Sequence, residues 1–242
     1  MSNYTIILPV LNEKDNILKL IIELEKIFIN CNYEIIVVDD SSTDGTTQLL
    51  NDLKVKKNFF KHILRNKKKN LVDSLNEGIS EAKFNKIIWM DCDFSHPPKS
   101  LKKIFNYVDK YKMISFSRFN KNSKRYFELD HNQNKYFIDN LSFFLNKICN
   151  VFLYSNFSDY TSGFICIEKN SLPNKLKGYY GDYYIELVCH VIRNNISFIE
   201  LPYEELPRHA GYSKTTSNKI KLLINCYFYF YRFLLNLIKK LK

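Results

Sequence analysis

A short acidic sequence, Asp91-Cys92-Asp93, gives the first indication of chemistry in this chain of 242 residues. It follows the apolar run Ile87–Met90, which is typical of a buried strand, so both carboxylates lie just beyond a strand end. Two carboxylates in this position suit a hard divalent cation, Mg²⁺ or Mn²⁺, bound together with the phosphates of a substrate. The alternative is that these side chains cap a following helix.

A second acidic pair, Asp39-Asp40, follows the apolar run Ile35–Val38 in the same way. Because the carboxyl ends of parallel strands meet at one edge of a sheet, we expect both pairs at the same edge. A carboxylate there can accept hydrogen bonds from a nucleotide base or from ribose hydroxyls. The alternative is a cap for a helix that begins after Ser42–Thr46.

Several motifs that define other enzyme classes are missing from the sequence. It contains six glycines and neither GxGxxG nor GxxxxGK[ST], which excludes the phosphate-binding loops of dinucleotide and P-loop enzymes. The five histidines show no HExxH spacing, and no GxSxG elbow occurs. Zinc hydrolases and serine hydrolases are therefore excluded as well.

Short apolar runs alternate with amphipathic stretches, as in βα units that form a mostly parallel sheet. The predicted strands are Tyr4–Leu8, Tyr33–Val38, Lys61–Leu64, Lys86–Met90, Met113–Ser117, Gly163–Ile167 and Ser197–Leu201. The predicted helices are Glu13–Phe28, Leu71–Ala82, Pro98–Val108 and Tyr183–Arg193. Residues 119–158 are expected to form a mobile loop followed by a helix. The sequence thus predicts an α/β fold with a Rossmann-like, mostly parallel sheet flanked by helices.

The positive charge of the chain is concentrated in its last part. The net charge is +11, and residues 206–242 hold eight basic residues and no acidic one. From about Ser217 to Lys240 the pattern predicts a helix with one narrow polar stripe and a wide apolar and aromatic face. Its apolar run, Leu222–Ile238, is interrupted by polar residues and lies at the lower limit of what spans a bilayer.

We expect this amphipathic C-terminal helix, residues 217–242, to lie in a membrane interface, where headgroup phosphates attract its basic ends. Residues 1–216 would then form the globular domain. The alternative is a helix that packs on its own domain. A nucleic-acid partner is not expected, because the carboxylates that cluster at the strand ends would repel a phosphate backbone.

The cysteines and the N-terminus indicate the compartment. The six cysteines show no CxxC spacing, and Met1 is not followed by a basic and then apolar signal sequence. Both features favour a reducing environment. Together with the C-terminal helix, they predict a cytoplasmic protein that is peripheral on the cytoplasmic face of a membrane.

Six segments together resemble the family-2 glycosyltransferases. They are Pro9–Glu13, Val37–Thr46, Asp91–Pro98, Ser117–Phe119, Asp159–Phe164 and Arg208–Lys214. They occur in the family's order over roughly residues 4–215, and they most resemble the branch of polyprenyl-phosphate sugar transferases that includes dolichyl-phosphate mannose synthase. The resemblance implies a GT-A fold, a nucleotide-sugar donor, a polyprenyl (dolichyl or undecaprenyl) phosphate acceptor and inversion at the anomeric carbon.

The resemblance also implies roles for individual residues. The nucleotide would be contacted by Pro9, Leu11, Glu13, Asp39 and Asp91. The metal and the diphosphate would be held by Asp91 and Asp93, with Ser95 nearby. The residues that act in the transfer itself would be Asp93, Arg118, Arg208 and Lys214. The acceptor phosphate would be held by Arg118, Ser142 and Arg208.

The sequence departs from the family pattern at three positions. The family usually has an arginine four residues before the serine that corresponds to Ser142, and this chain has Ile138 there. A second frequent arginine, just after the Ser-Gly-Phe triplet, is replaced by Ile165. Leu11 stands in place of a frequent aromatic residue beside the base. These departures concern the acceptor site more than the fold.

Two kinds of acceptor remain open on chemical grounds. A lipid phosphate is already anionic near neutral pH, so it needs cations that hold it and a metal that stabilises the departing nucleoside diphosphate. A sugar hydroxyl, as in glycan assembly, would need a carboxylate base, for which Asp182 is the candidate. Asp182 could alternatively cap the helix Tyr183–Arg193.

Overall fold

The computed structural model describes residues 2–54, 58–123, 133–154, 156–211 and 219–241. Within these ranges, a sheet of seven strands is covered by helices on both faces. The strands are β1 (Asn3–Val10), β2 (Asn32–Asp39), β3 (Phe60–Leu64), β4 (Lys86–Trp89), β5 (Met113–Ser117), β6 (Ile165–Glu168) and β7 (Phe198–Pro202). The helices are α1 (Lys14–Phe28), α2 (Thr46–Lys54), α3 (Leu71–Glu81), α4 (Gln133–Phe152), α5 (Tyr183–Arg193) and α6 (Lys219–Leu241).

The sheet has the strand order β3-β2-β1-β4-β6-β5-β7. Its pairs are parallel except for those of β6, which runs antiparallel between β4 and β5. The carboxyl ends of β1, β2 and β4 therefore meet at one edge, where Val10 lies opposite Asp39. The predicted α/β architecture with a mostly parallel sheet is confirmed.

Apolar side chains cover both faces of the central strands. In β1, Ile6 packs in the layer formed with α1, whereas Ile7 packs in the layer formed with α3 and α5. This alternation follows because successive side chains of a strand point to opposite faces. A Cβ atom at Gly78 of α3 would lie 2.5 Å from Ile7 Cγ2, so glycine permits the close approach of α3 to β1.

The predicted elements lie close to the observed ones, with one difference in detail. Residues Pro98–Asn106 form a 3₁₀ helix where an ordinary helical pattern was predicted. The helix predicted within residues 119–158 is α4, and residues 124–132 of the predicted mobile loop lie outside the described residues. In the described part of the chain, no helix combines the length and the apolar character that crossing a bilayer requires.

The C-terminal helix α6 packs on α5 through its polar stripe. Asn236 is fully buried, donates to Glu186 Oε2 at 2.9 Å and accepts from Arg193 Nη1 at 2.9 Å. The opposite face is open, since Tyr227 is 63% and Phe230 57% exposed. The helix therefore packs on its own domain, which was the alternative interpretation, but with its polar side inward and its apolar side outward.

Candidate active site

A cavity of about 300 Å³ lies at the carboxyl edge of the sheet, where parallel α/β sheets bind their ligands. The loops after β1, β2 and β4 contribute Pro9, Leu11, Glu13, Asp40, Asp91 and Asp93 to its lining. The other walls include Lys69, Tyr179, Tyr180, Arg208, Lys221 and Asn225. The structure thus brings together six of the predicted site residues, which are Pro9, Leu11, Glu13, Asp91, Asp93 and Arg208.

The backbone is strained in each of the three loops that form the strand-end wall. Positive φ angles, which residues other than glycine rarely adopt, occur at Asn12 (55°), Ser41 (60°) and Phe94 (68°). Two of these loops hold each other, because Asn12 N–H donates to Ser42 Oγ at 2.8 Å and Asn12 Oδ1 accepts from Thr43 N–H at 2.8 Å. Such strain is concentrated at functional sites, where the surroundings fix the conformation.

The turn that carries Asp91 and Asp93 is fixed by side-chain hydrogen bonds. Asp93 Oδ1 accepts from the Ser95 amide at 2.9 Å and from its hydroxyl at 2.6 Å. His96 Nδ1 accepts from the Asp91 amide at 3.1 Å, and its ring stacks on Phe164 with centroids 4.8 Å apart. The backbone of both acidic residues is therefore held in place by contacts within the protein.

Arg208 forms an ion pair with the other oxygen of Asp93, Oδ2. The adjacent His209 amide donates to the Asp93 carbonyl at 2.9 Å, which docks the 206–210 segment on the acidic turn. Burial alone would raise the pKa of Asp93, but the charge of Arg208 and the bonds from Ser95 lower it. Asp93 is therefore a carboxylate at neutral pH.

The donor set at this turn fits a hard divalent cation. Asp91 and Asp93 present carboxylate oxygens to one cavity, and such oxygens are the ligands that Mg²⁺ and Mn²⁺ prefer. The described residues contain no group of three or more His, Cys, Asp or Glu side chains arranged to hold a metal by themselves. A cation bound by these two residues would share its coordination with oxygens of a phosphorylated ligand.

The two neighbouring aspartates after β2 have different surroundings. Asp39 is fully buried and accepts hydrogen bonds from the Ser42 amide and the Thr47 hydroxyl. Burial opposes its ionisation, but the hydrogen bonds from these two residues and the nearby His62, whose Nε2 lies 3.9 Å from Asp39 Oδ2, lower its pKa to about 2. Asp39 thus holds the loop between β2 and α2, and it is Asp40 that lines the cavity.

Asp40 is oriented by a network under the cavity floor. Arg65 forms a buried ion pair with its Oδ1, and the Asn70 amide donates to its Oδ2 at 2.7 Å. Arg65 also donates to Ser74 Oγ at 3.1 Å in the first turns of α3. Burial raises the pKa of Asp40 in spite of these partners. The network connects the ends of β2 and β3 with α3.

Arg118 forms an ion pair with Asp159, a buried residue that does not line the cavity. Its guanidinium binds Asp159 through two bonds of 2.9 Å, and Nη2 also donates to Thr161 Oγ1 at 2.6 Å. Burial opposes the charge of Asp159, but the neighbouring Arg118 holds the pKa of Asp159 below its usual range. The assignment of Arg118 to transfer and to the acceptor phosphate stays a prediction from the resemblance.

Two other predicted site residues, Ser142 of the acceptor set and Lys214 of the transfer set, are not among those that line the cavity in the described part of the chain. Ser142 lies half-buried on α4, and its carbonyl accepts from Asn146 Nδ2 at 2.8 Å. Lys214 lies outside the described residues, so its assignment stays a prediction.

Asp182, the candidate base for a hydroxyl acceptor, holds a turn of the chain instead. It is buried and accepts from the Tyr179 and Tyr180 amides at 2.9 Å through Oδ1. Its Oδ2 accepts from Nε and Nη2 of Arg232 in α6, both at 3.3 Å. The side chain does not cap α5. Both of its oxygens are occupied, and it is not among the residues that line the cavity.

Sequence reasoning missed a group of residues that line the cavity, namely Lys69, Tyr179, Tyr180, Lys221 and Asn225. A local signal existed for Lys69, because it precedes Asn70, whose side chain caps α3 by accepting from the Val72 amide at 2.8 Å. The residues of α6 had no such signal. Their pattern defines a polar stripe but not what the stripe contacts.

These features define an α/β enzyme with an acidic site at the carboxyl edge of its sheet. The chain belongs to glycosyl transferase family 2, since the sequence model of that family matches residues 5–173. It is therefore a glycosyltransferase, as the resemblance implied.

Among curated proteins, the chain is similar to two dolichol-phosphate mannosyltransferases. It is 34% identical to the Pyrococcus furiosus enzyme over 104 residues, which cover 43% of this chain and 29% of the relative. It is 30% identical to the Mycosarcoma maydis enzyme over 103 residues, which cover 40% of this chain and 35% of the relative. The matched segment thus spans well under half the length of either relative.

Among solved structures, the fold is similar to that of glucosyl-3-phosphoglycerate synthase from Mycobacterium tuberculosis. In its complex with Mn²⁺, uridine diphosphate and glucosyl-3-phosphoglycerate, the TM-score is 0.71, and the superposition covers 97% of this chain and 80% of that one. The sequence identity is 13%, so the likeness concerns the fold. It establishes the GT-A type of α/β fold for this chain.

Proposed function

We propose that this family-2 glycosyltransferase moves a sugar from a nucleotide-sugar donor to the phosphate of a polyprenyl phosphate, with inversion at the anomeric carbon. A phosphate oxygen of the acceptor attacks that carbon, and the bond to the donor diphosphate breaks. The similarity to two dolichol-phosphate mannosyltransferases supports this acceptor class.

The chain's own residues fit this reaction. Asp91 and Asp93 would hold Mg²⁺ or Mn²⁺, which would stabilise the charge of the departing nucleoside diphosphate. The similar fold that binds Mn²⁺ and uridine diphosphate supports both the cation and the donor class. Pro9, Leu11 and Glu13 line the part of the cavity next to β1 and would contact the nucleotide.

The contacts of Asp182 also favour an acceptor that is already an anion. Among the described residues, the candidate base Asp182 has both carboxylate oxygens engaged by Arg232 and by two backbone amides. A hydroxyl acceptor would have to lose its proton to a group with a free oxygen, whereas a phosphate at neutral pH needs no such group.

The observation that carries the proposal is that the cavity shares residues with an exposed apolar surface. Ile224 lines the cavity and is 44% exposed. Tyr179 also lines the cavity, is exposed, and stacks on Phe228 of α6 with ring centroids 4.9 Å apart. An acceptor whose phosphate enters the cavity can therefore keep its hydrocarbon chain on apolar residues.

This apolar surface is formed by α6 and the neighbouring part of α4. It consists of Phe144, Val151, Phe152, Leu223, Ile224, Tyr227, Phe230, Tyr231, Leu234, Ile238 and Leu241, all of which are exposed. The two helices meet where Phe152 contacts Phe233 edge to face at 6.3 Å and Lys240 Nζ donates to the Phe152 carbonyl at 3.1 Å.

We propose that the apolar surface rests in a membrane interface on the cytoplasmic face. Aromatic and aliphatic side chains with lysines at the helix ends are typical of interfacial helices. All six cysteines are free, which suits a reducing compartment.

The test replaces two residues of the apolar surface that do not line the cavity. The double substitution Tyr227→Ser and Phe230→Ser should reduce partition to anionic vesicles by about tenfold or more, because each inserted aromatic side chain contributes on the order of 1.5 to 3 kcal/mol. Transfer to long-chain polyprenyl phosphate in those vesicles should fall with it, while binding of nucleoside diphosphate with Mn²⁺ should persist.

Ile29→Ser is the matched control, because Ile29 is 75% exposed just after α1, at the opposite edge of the sheet. Unchanged vesicle partition in the double variant would contradict the membrane assignment. A wild-type protein that transfers sugar to glycan hydroxyls and not to polyprenyl phosphate would contradict the acceptor assignment.

A further inference from the structure

Three residues of α6 form part of the cavity wall. Lys221, Ile224 and Asn225 are spaced i, i+3 and i+4, so they share one face of the helix, and all three line the cavity. The C-terminal helix is therefore a structural part of the active site as well as the carrier of the apolar surface.

The turn before α5 completes this wall and is held tightly to α6. Asp182 binds the amides of Tyr179 and Tyr180 and is bound in turn by Arg232. Gly181 lies against the ring of Tyr229, where a Cβ atom would overlap the tyrosine hydroxyl. The position of Lys221 relative to the cavity is thus set by buried contacts further along the same helix.

The basic side chains that line the cavity differ in whether they form an ion pair. Arg208 is paired with Asp93. Lys69 and Lys221 are exposed, and no ion pair joins either of them to another described residue. Asp40, the acidic neighbour of Lys69 in the cavity lining, is already paired with Arg65. Lys221 therefore presents an ammonium group whose charge is not neutralised within the described structure.

Lys221 lies where the cavity meets the apolar surface. The next turn of α6 carries Leu223, which is 69% exposed, and Ile224, which belongs to both the cavity and the apolar surface. An acceptor that reaches the cavity from this side meets Lys221 at the point where apolar residues give way to the polar lining. The donor diphosphate, in contrast, is expected at the strand-end wall with Asp91 and Asp93.

We propose that Lys221 binds the phosphate group of the acceptor and thereby positions it for attack. This inference rests on the proposed phosphate acceptor, and it concerns a phosphate that belongs either to a lipid or to a small soluble molecule. A hydrogen bond from an ammonium to a phosphate oxygen contributes roughly 1.5 to 3 kcal/mol, which corresponds to about a 10- to 100-fold change in affinity.

The experiment compares Lys221→Ala, Lys221→Arg and the control Lys26→Ala in the full-length chain with Mn²⁺. Lys26 is exposed in the last turn of α1, at the opposite edge of the sheet, so its loss changes the net charge equally. One arm measures KM for a short-chain polyprenyl phosphate in detergent, and a second arm measures KM for phosphoglyceric acid. A third arm measures, by calorimetry, the binding of inorganic phosphate to the complex with nucleoside diphosphate.

We expect Lys221→Ala to raise KM for the productive acceptor, and Kd for inorganic phosphate, by about tenfold or more. Lys221→Arg should restore most of this loss, and Kd for nucleoside diphosphate should change less than about twofold. Turnover in the first or second arm identifies the source of the phosphate. If polyprenyl phosphate does not react, the proposed function fails, and the third arm still decides on Lys221.

Two results would overturn the inference. The first is an unchanged KM and an unchanged Kd for phosphate in Lys221→Ala. The second is an equal loss of nucleoside diphosphate binding, which would place Lys221 at the donor. Circular dichroism and thermal unfolding of each variant show that a loss of affinity is not a loss of folding.

Discussion

Arg232 joins the C-terminal helix to the buried carboxylate of Asp182, and its replacement by methionine tests how strongly that contact holds the active-site wall. Two guanidinium nitrogens donate to Asp182 Oδ2 at 3.3 Å, and a third lies 3.9 Å from Glu186 Oε2. Methionine keeps much of the aliphatic stem and removes the charge. The substitution therefore leaves a buried carboxylate without its cation.

The expected loss of stability depends on the hydrogen bonds that Asp182 retains in the variant. Removing one partner of a buried ion pair costs about 3 to 5 kcal/mol when the other charge is left unpaired. Asp182 still accepts from the Tyr179 and Tyr180 amides, both at 2.9 Å, and the bonds to Arg232 are long. We therefore expect the free energy of unfolding to fall by about 2 to 3 kcal/mol. In a chain of this size, that loss lowers Tm by roughly 5 to 10 °C.

Lys239→Met is the matched comparison, because it removes one positive charge two helical turns further along α6. Lys239 Nζ lies 2.7 Å from Glu186 Oε1, but its side chain is 48% exposed, against 12% for Arg232. Exposed ion pairs contribute about 0 to 1 kcal/mol, so its Tm should change by less than about 4 °C. Thermal unfolding followed by circular dichroism measures both variants.

A second readout separates local from global effects. Loss of the Arg232 contact should loosen the turn that carries Tyr179 and Tyr180 and completes the wall with Lys221. Calorimetry with inorganic phosphate, in the presence of nucleoside diphosphate and Mn²⁺, should therefore show weaker binding in Arg232→Met than in Lys239→Met. Equal Tm values for the two variants would refute the reasoning, because a buried pair would then stabilise no more than an exposed one.

Two further predictions concern single carboxylates. Asp91→Ala should reduce turnover by at least about 100-fold and abolish the dependence on added Mn²⁺ or Mg²⁺ with little change in Tm, and full activity in this variant would exclude Asp91 as a metal ligand. Burial raises the pKa of Glu200 to about 7 from its ordinary value of 4.5. Between these pH values the native state keeps a proton that the unfolded state releases, so the free energy of unfolding falls as the pH rises. Urea unfolding from pH 5 to pH 8 should therefore show Glu200→Gln gaining up to about 3 kcal/mol relative to wild type, and a difference that does not vary with pH would contradict this.

Much of the fold could be predicted from the sequence because its signals are local. The apolar runs before Asp39 and Asp91 mark buried strands, and acidic residues directly after such runs must lie at the edge of a parallel sheet. The structure places both clusters there. The strand order, in contrast, depends on pairings between distant segments, such as β6 between β4 and β5, that no local pattern encodes.

The contacts that individual side chains make at the site could not be predicted in the same way. Asp39 and Asp40 are adjacent and chemically identical, yet the first is enclosed by its own loop and the second faces the cavity. The sequence does not reveal that Arg118 is paired, because its partner Asp159 lies 41 residues away. Such pairings depend on tertiary contacts.

The orientation of α6 is a related case. Periodicity identifies which residues share a face of a helix, but burial of the polar face requires partners for it. Those partners are Asp182 and Glu186, which lie next to and within α5. A helix is ordinarily expected to bury its apolar face, so the inward position of Asn225 and Asn236 could not be deduced without them.

The double role of α6 makes its two surfaces thermodynamically linked. One helix bears the apolar surface on one side and Lys221 and Asn225 in the cavity wall, with Ile224 belonging to both. If contact of the apolar surface with a bilayer changes the affinity of the cavity for a ligand by some factor, that ligand changes the affinity for the bilayer by the same factor. Residence on the membrane and occupancy of the active site are then two measures of a single coupling free energy, and either one reports on the other.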